Sequence, residues 1–200
     1  MNKKFINIIL AVALTITLLI ALPTNTQAAS YKNAYKKALS TNVSGGIYSK
    51  YAFIKMKSFK SPVMLVIMND WSSKQSDIIP MAKLYCYKNG KVKKLKTTEL
   101  DSWVDRDDWK VKKKGKKYVI TYTGNGVTIN YVINSKKGKI SAVKYGSNKE
   151  TINGKTWTGY SKWMGKNFNK FKEISKSTYN KAVKTTKKVK LKEHFAEREY

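Results

Sequence analysis

The chain has 200 residues, with 41 Lys and Arg against 12 Asp and Glu, so its formal net charge is +29. This length supports one domain or at most two small ones, and it excludes a large multidomain enzyme. Hydrophobic residues make up 42% and aromatic residues 12% of the chain, which is enough for a packed core and excludes a charged disordered tail. Almost all of the positive charge is lysine, because Arg106 and Arg198 are the only arginines.

The first 28 residues have the composition of a secretory signal. A basic start precedes an apolar run from Phe5 to Leu22, and a polar stretch then ends in small residues. Thr26 and Ala28 suit positions −3 and −1 of a cleavage site, so we expect cleavage to leave a mature chain of 29–200. An uncleaved signal anchor is the alternative, because 18 apolar residues are close to the shortest span of a bilayer. With no cysteine at the cleavage site, we expect a secreted, extracellular protein that is not a lipoprotein.

The mature chain opens with a predicted helix and two predicted strands. Apolar residues at helical spacing predict a short amphipathic helix over Ser30 to Leu39. The Gly45-Gly46 pair then interrupts the chain. Tyr48 to Met56 and Val63 to Met68 predict strands that flank a loop containing Pro62.

A tight hairpin comes next. Met81 to Tyr87 and Lys91 to Lys96 predict its strands, because the Asn89-Gly90 pair between them favours a type I′ turn. Cys86 is the only cysteine, so an exported form of this chain contains no intramolecular disulfide. We expect Cys86 to be a small buried residue within its strand. A nucleophile or an intermolecular bridge is the alternative.

Three further strands predict an antiparallel meander. Tyr118 to Thr123 and Val127 to Ile133 flank Gly124-Asn125-Gly126, and Lys139 to Tyr145 follows. The alternating apolar residues between Val127 and Ile133 predict that this strand has one buried side.

The C-terminal part contains two helical patterns. Aromatic residues from Thr158 to Phe171 are spaced loosely as in a helix, although two glycines weaken the pattern. Ser175 to Thr186 predicts a better helix, with Ser175 or Ser177 as its N-cap.

The chain from Lys187 onward predicts a short basic strand and a frayed tail from about residue 193. Together these elements predict a single α+β domain over 29–200. In it, an antiparallel sheet of hairpins is packed by helices from the two ends of the chain.

Two segments carry a resemblance to a family. Tyr51 to Val66 and Tyr85 to Leu95, YAFIKMKSFKSPVMLV and YCYKNGKVKKL, resemble a domain of secreted Gram-positive, especially clostridial, proteins. In that domain an aromatic strand runs into an Asp-x-Asp-x-Asp-Gly-x-Pro-Glu-Leu loop, and a Tyr-x-Tyr-Lys-Asn-Gly-Lys-Val hairpin follows. The resemblance covers about a quarter of the chain and implies no enzymatic activity.

The chain departs from this pattern in the loop. The family's acidic positions are Lys55, Lys57, Phe59 and Val63 here, while Pro62 is kept. Calcium needs several oxygen ligands, and two ammonium groups would repel it, so we expect neither a metal nor a cofactor. The lysines either hold the turn, form part of an anion site, or are simply solvated.

One acidic concentration stands out. It contains Glu99, Asp101, Asp105, Asp107 and Asp108. The segment lacks the glycine and the closing glutamate of an EF-hand loop, so a metal site is not favoured. Its carboxylates either pair with lysines, cap a helical turn that buries Trp103, or support weak self-association by docking on the basic surface of a second copy.

We predict no catalytic residue. His194 is the only histidine and lies near the predicted tail, where a Ser-His-Asp or Cys-His site would be poorly supported. A small secreted hydrolase that uses a carboxylate pair remains an alternative, with Asp105, Asp107 and Glu150 as its candidates.

Three lysine clusters are the strongest functional signal. Their predicted polyanion-binding residues are Lys88, Lys91, Lys93, Lys94 and Lys96; Lys110, Lys112, Lys113, Lys114, Lys116 and Lys117; and Lys187, Lys188 and Lys190. Residues on one face of a strand recur every ~6.8 Å, which is comparable to the phosphate spacing of an extended polyanion. Binding through accumulated charge should weaken steeply with salt.

Lysine presents a hydrated point charge, so sequence-specific DNA recognition is not expected and nucleic acid should bind only nonspecifically. The sequence therefore predicts a secreted, non-enzymatic protein that binds an anionic cell-wall polymer or an anionic membrane surface. An AT-rich genome would also enrich lysine. A membrane-active basic protein is a further alternative, although a long basic amphipathic helix is missing. If exposed, Trp71, Trp157 or Trp163 would be able to stack on sugars or bases.

Overall fold

The computed structural model describes residues 24–40, 49–71, 78–101, 104–165 and 168–194. The predicted apolar run of the signal lies outside these residues. The helices are α1 (Thr24–Ala38) and α2 (Lys176–Val183). The strands are β1 (Ser49–Ile54), β2 (Val63–Trp71), β3 (Ile78–Lys88), β4 (Lys91–Glu99), β5 (Lys110–Lys114), β6 (Lys117–Gly124), β7 (Val127–Lys136), β8 (Lys139–Ile152), β9 (Lys155–Met164), β10 (Lys170–Glu173), β11 (Lys187–Val189) and β12 (Lys192–His194).

The strands form two antiparallel sheets. The first sheet has the order β12-β1-β2-β3-β4, and the second has the order β10-β9-β8-β7-β6-β5-β11. The α+β prediction with antiparallel hairpins and helices from both ends is confirmed, but the single predicted sheet is in fact two. The two C-terminal strands account for part of this difference, because β11 joins the second sheet and β12 joins the first.

The main core lies between the two sheets. Ile54 and Leu65 of the first sheet and Ile120 and Ile133 of the second belong to one buried cluster, together with Trp109. Side chains alternate across each strand, so every second residue of β2, β6 and β7 contributes to this layer. Each such side chain contributes about 1.5–3 kcal/mol of stabilisation when it is removed from water.

Helix α1 covers the outer face of the first sheet. Tyr35 and Leu39 pack there against Met64 and Met68, and the Tyr35 hydroxyl donates a hydrogen bond of 2.7 Å to the carbonyl oxygen of Pro62. Burial raises the pKa of Tyr35 well above its usual value. The predicted N-terminal helix is therefore confirmed, and it begins before the predicted cleavage position.

Helix α2 covers the outer face of the second sheet. Ser175 is its N-cap, as predicted, and its hydroxyl accepts a hydrogen bond of 3.2 Å from the backbone N–H of Thr178. The hydroxyl of buried Tyr179 accepts a hydrogen bond of 2.9 Å from Nδ2 of Asn130 on β7. On β7, Ile129, Tyr131 and Ile133 are buried on the face toward the first sheet. Asn130 and Val132, on the opposite face, are buried too. The prediction that β7 has one buried side was wrong, because α2 covers its second side.

The helix predicted from Thr158 to Phe171 is wrong. Residues 158–164 of this segment lie in β9, and residues 170–171 are the first two of β10. Nine register pairs with β8, from Lys144↔Trp163 to Ile152↔Lys155, place it in the second sheet. Threonine and aromatic side chains favour such a strand, and glycine disfavours a helix.

The predicted hairpin turn is confirmed. Asn89 has φ 52° and Gly90 has φ 75°, the left-handed pair that a type I′ turn requires.

Cys86 is buried on β3 as predicted, and burial raises the pKa of its thiol. In the part of the chain that the structure describes, no helix is both long and apolar enough to cross a membrane.

Candidate polyanion-binding surface

Antiparallel register brings lysine-bearing turns of the second sheet to one end. Lys114 pairs with Lys117 across the β5–β6 turn, and Lys136 pairs with Lys139 across the β7–β8 turn. Because antiparallel neighbours reverse direction, these two turns lie at the same end of the sheet. The start of β11 lies there too, since its Lys187 is opposite Lys113.

The first sheet contributes the corresponding end. The loop 55–62 between β1 and β2 lies at the same end of that sheet as the Asn89-Gly90 turn. The backbone N–H of Lys55 donates a hydrogen bond of 3.0 Å to the hydroxyl of Tyr118, which stands at the start of β6. This bond joins the two sheet ends into one surface.

We call this surface the lysine end. Its lysines are Lys55, Lys57, Lys60, Lys88, Lys91, Lys113, Lys114, Lys116, Lys117, Lys136, Lys137, Lys139 and Lys187. Its four turn segments, 55–62, 88–91, 113–117 and 136–139, and the strand β11 contain no Asp or Glu. Positive charge therefore accumulates here without a carboxylate in the same turns.

Like charges stand directly opposite each other in the strands. Among the described strands, lysine pairs with lysine at Lys88↔Lys91, Lys112↔Lys188, Lys113↔Lys187, Lys114↔Lys117, Lys136↔Lys139 and Lys162↔Lys172. Such pairs are destabilising, whereas opposite charges in the same positions stabilise by about 0.2–1 kcal/mol. An anionic ligand between the ammonium groups would remove this repulsion.

The β7–β8 turn includes a lysine in an unfavourable conformation. Lys137 has φ 49° and is followed by Gly138 with φ 73°. The left-handed region suits glycine and asparagine, and it costs other L-residues roughly 1–2 kcal/mol. The fold thus places an exposed ammonium at this turn where asparagine would fit the backbone better.

The structure brings together half of the predicted polyanion-binding residues. Seven belong to the lysine end, namely Lys88, Lys91, Lys113, Lys114, Lys116, Lys117 and Lys187. Lys93, Lys94 and Lys96 lie further along β4, and Lys112 and Lys188 face each other further along β5 and β11. Lys190 is exposed between β11 and β12.

One residue of the lysine end already has a structural partner. The Lys117 ammonium donates a hydrogen bond of 2.7 Å to the carbonyl oxygen of Ala182 in the last turn of α2. Cations stabilise helix C-termini because carbonyl oxygens there lack intrahelical partners. Desolvation, followed by the charge of Lys114, lowers the pKa of this ammonium.

The lysine end also includes residues that the three predicted clusters omit. Lys55 and Lys57 are predicted only as one interpretation of the first loop, and Lys60, Lys136, Lys137 and Lys139 belong to no predicted site. The tract Lys136-Lys137-Gly138-Lys139 has the composition of a lysine-bearing hairpin turn, which is the signal that would have found it.

Two carboxylates of the acidic segment pair with lysines at the other end of the molecule, which we call the acidic end (residues 99–101 and 104–108). Asp101 accepts hydrogen bonds of 2.5 Å from the Lys144 ammonium and 2.9 Å from the Tyr131 hydroxyl. Asp107 forms a 2.7 Å ion pair with Lys50. Lysine pairing, one of the three interpretations of this segment, is therefore confirmed.

Capping is confirmed as well. The Asp105 carboxylate accepts a 2.8 Å hydrogen bond from the backbone N–H of Asp107 and caps the 3-10 turn Arg106–Asp108. Trp103, which this turn was expected to bury, lies outside the described residues. Trp109 instead follows the turn and is buried. Among the described residues, no group of three His, Cys, Asp or Glu side chains is arranged to hold a metal ion.

A cavity of about 240 Å³ opens between the edges of the two sheets beside this end. Lys50, Lys110 and Lys188 line it together with Asp107 and Glu193. Two of the predicted polyanion-binding lysines thus share a cavity with carboxylates, unlike the lysines of the turns.

The hydrolase candidates are separated. Glu150 is exposed on β8 and accepts a 2.8 Å hydrogen bond from Nδ2 of Asn148, whereas Asp105 and Asp107 occupy the 3-10 turn. Ser49 and His194 are opposite each other in the β1–β12 register. Ser49 Oγ and His194 Nε2 are both buried without a hydrogen-bond partner among the described residues, so they do not form a nucleophile–base pair in this arrangement.

No family model, no curated protein and no solved structure matches this chain. The resemblance to the clostridial-type domain therefore stays a prediction.

Proposed function

We propose that this protein is a secreted, non-enzymatic protein that associates electrostatically with anionic polymers of the cell envelope, such as phosphate-containing wall polymers. The observation that carries the proposal is the lysine end, where turns from both sheets converge and their segments contain no acidic residue. The predicted secretory signal supports the extracellular location.

The physical basis is accumulated charge. Two unit charges 4 Å apart interact by only about 1 kcal/mol in water, so a single ammonium–phosphate contact would be weak. Many such contacts act together when a flexible chain of phosphates crosses a surface with a high density of lysines. Lysine adds no planar fork for bidentate recognition, so the surface should select charge density rather than a particular sequence or shape.

Salt dependence follows from the same argument. The Debye length is about 8 Å at physiological ionic strength and about 3 Å at 1 M salt, so exposed charges lose most of their attraction in concentrated salt. We expect the mature protein to be retained on isolated cell walls at low salt and to be released as salt increases.

A matched pair of variants tests the surface. The first variant carries Lys88→Gln, Lys91→Gln, Lys114→Gln and Lys137→Gln. The control carries Lys149→Gln, Lys170→Gln, Lys172→Gln and Lys176→Gln, which are exposed positions away from the lysine end. Both variants lose the same net charge, so a difference between them reports the position of the lysines rather than their number.

Retention is measured on purified walls, on walls stripped of phosphate polymers, on inorganic polyphosphate and on anionic lipid vesicles. We expect affinity for polyphosphate to fall at least tenfold in the first variant, which is about 1.4 kcal/mol, and much less in the control. A wild-type protein that stays free at low salt contradicts the proposal, as does an equal loss in both variants. Retention on vesicles alone would favour a membrane surface over a wall polymer.

A further inference from the structure

A second surface, at the edge of the second sheet formed by β8, β9 and β10, differs in chemistry from the lysine end. Strand β8 pairs with β7 only as far as Asn148↔Val127, but its pairing with β9 continues to Ile152↔Lys155. Residues 149–158 thus form a two-stranded ribbon that extends beyond β7. Its turn is Asn153-Gly154, with φ 50° and 74°.

Large apolar side chains of this region are exposed on one face. Directly opposite residues of an antiparallel pair share a face, and Trp163 is opposite both Lys144 and Phe171. Trp157 lies six residues before Trp163 on the same strand, so it points to the same side. Trp157 is 65% exposed, Phe171 58% and Ile152 57%.

This face is the continuation of the one that packs on the first sheet. Tyr131 of the core is opposite Lys144 in the β7–β8 register. Strand β4, at the edge of the first sheet, contacts β8, and the exposure of Trp157 and Phe171 shows that the face extends past this cover. We call the surface formed by Trp157, Trp163 and Phe171 the aromatic strip.

Trp163, at one end of the strip, is held by its neighbours. A Cβ atom at Gly146 would lie only 2.8 Å from the Trp163 ring, so the glycine lets the indole lie against the backbone of β8. The Phe171 ring centroid is 5.4 Å from that of Trp163, and the Lys144 ammonium is 5.1 Å from the Trp163 centroid. The ring is therefore oriented before any ligand arrives.

Polar side chains accompany the rings on the same face. Asn148 lies across Gly159, where a Cβ atom would be 2.7 Å from its Oδ1, and its Nδ2 donates to Glu150. Ser161 and Glu173 are opposite each other between these groups and Trp163. Amide, carboxylate and hydroxyl groups thus alternate with aromatic surface.

The charge of this face is balanced. Its lysines, Lys144 and Lys155, are matched by Glu150 and Glu173, and Lys144 is already paired with Asp101. In a chain with a net charge of +29, a neutral face is the exception. Its ligand is therefore not selected by negative charge, which argues against phosphate polymers and anionic lipid at this place.

We propose that the aromatic strip binds an extended neutral glycan. The ring of a sugar presents C–H groups that pack on the electron-rich face of an aromatic ring, while its hydroxyls need carboxylate, amide and hydroxyl partners. The two tryptophans are six residues apart on one strand, or about 20 Å, so the ligand is a chain of sugars rather than a single one. This inference does not rest on the lysine end.

The experiment uses the mature protein in 1 M salt, where the lysine end is screened. Binding of a β-1,4-linked N-acetylglucosamine hexamer is followed by tryptophan fluorescence and calorimetry, and pull-down uses wall glycan stripped of phosphate polymers. Single-stranded oligo(dT) is a parallel probe, because bases also stack on aromatic platforms.

We expect Trp157→Ala and Phe171→Ala each to weaken glycan binding about tenfold, and Trp157→Tyr to restore most of it. Thr156→Ala, on the opposite face of the ribbon, is the matched control and should bind like the wild type. Both substituted aromatic side chains are mostly exposed, so the variants should remain folded, which circular dichroism verifies.

Three outcomes overturn this inference. They are a wild-type protein that binds neither glycan, glycan binding that survives Trp157→Ala, and binding of oligo(dT) without glycan. Self-association that disappears in Trp157→Ala, without glycan binding, would make the strip an interface between two copies. Loss of polyphosphate binding in the lysine variant with intact glycan binding would separate the two surfaces, because each proposal then stands or fails by itself.

Discussion

The lysine end and the acidic end lie at opposite ends of the molecule, and they differ in how their charged side chains are paired. At the acidic end, Asp101 is bound by Lys144 and Tyr131, and Asp107 is paired with Lys50. At the lysine end, Lys114 faces Lys117 and the register offers it no carboxylate. Two carboxylates of the acidic end are thus neutralised within the molecule, whereas the opposed lysines of the lysine end keep their charge available for another molecule.

The comparison also separates structural from functional charge. A carboxylate that accepts two side-chain hydrogen bonds in a half-buried place contributes mainly to stability. An exposed lysine opposite another lysine contributes repulsion, so its retention needs a reason other than folding. Substitutions at the two ends should therefore change different measurements.

The largest expected effect on stability is at Asp101. Asp101→Asn removes the charge that pairs with Lys144, whose side chain is only 18% exposed. Leaving a partly buried ammonium without its carboxylate should lower the free energy of unfolding by about 2–3 kcal/mol. Urea denaturation measures this loss, with exposed Asp108→Asn as the control. Equal stability of the two variants would contradict the structural role of the acidic end.

The next effect depends on pH. Burial, followed by the charge of Asp101, raises the pKa of Tyr131 above its ordinary value of 10.0. Stability from this group is complete below pH 10 and is lost as pH rises, because the unfolded chain releases the proton while the folded chain keeps it. The loss is about 1.4 kcal/mol per pH unit. Urea denaturation from pH 9 to 11 should show a steeper decline for the wild type than for Tyr131→Phe.

Much of this arrangement could be predicted from local sequence. The Asn89-Gly90 turn, the N-cap at Ser175 and the strands on either side of Gly124-Asn125-Gly126 follow from turn and cap chemistry within a few residues. The failure between Thr158 and Phe171 has a local cause, since aromatic residues every three to five positions fit a helix as well as a strand.

The rest depends on contacts between distant parts of the chain. The division into two sheets requires that β12 pairs with β1 and β11 with β5, which no short pattern encodes. The lysine end was predicted as separate clusters because its unity comes from strand direction. Each turn is visible in the sequence, but only the register shows that Lys137 and Lys114 point to the same end.

Lys117 allows a test within the lysine end itself. Lys117→Met removes the hydrogen bond to the carbonyl oxygen of Ala182 and should lower the free energy of unfolding by about 1 kcal/mol. Its neighbour Lys116 is exposed in the turn, so Lys116→Met should leave stability unchanged and weaken polyphosphate binding instead. If both variants behave alike in thermal denaturation, the helix-capping role of Lys117 is wrong.

The smallest expected effect concerns the backbone conformation of Lys137 in the β7–β8 turn. Lys137 adopts φ 49°, a conformation that asparagine accepts at lower cost, so Lys137→Asn should raise the free energy of unfolding by about 0.5–1 kcal/mol. The same variant removes one ammonium from the lysine end and should weaken polyphosphate binding slightly. Lys136→Asn removes the same charge from a residue without positive φ and provides the control. We expect the free energy of unfolding to rise only in Lys137→Asn, while polyphosphate affinity falls by a similar amount in both variants. That result would mean that lysine at position 137 lowers the stability of the turn and adds to binding.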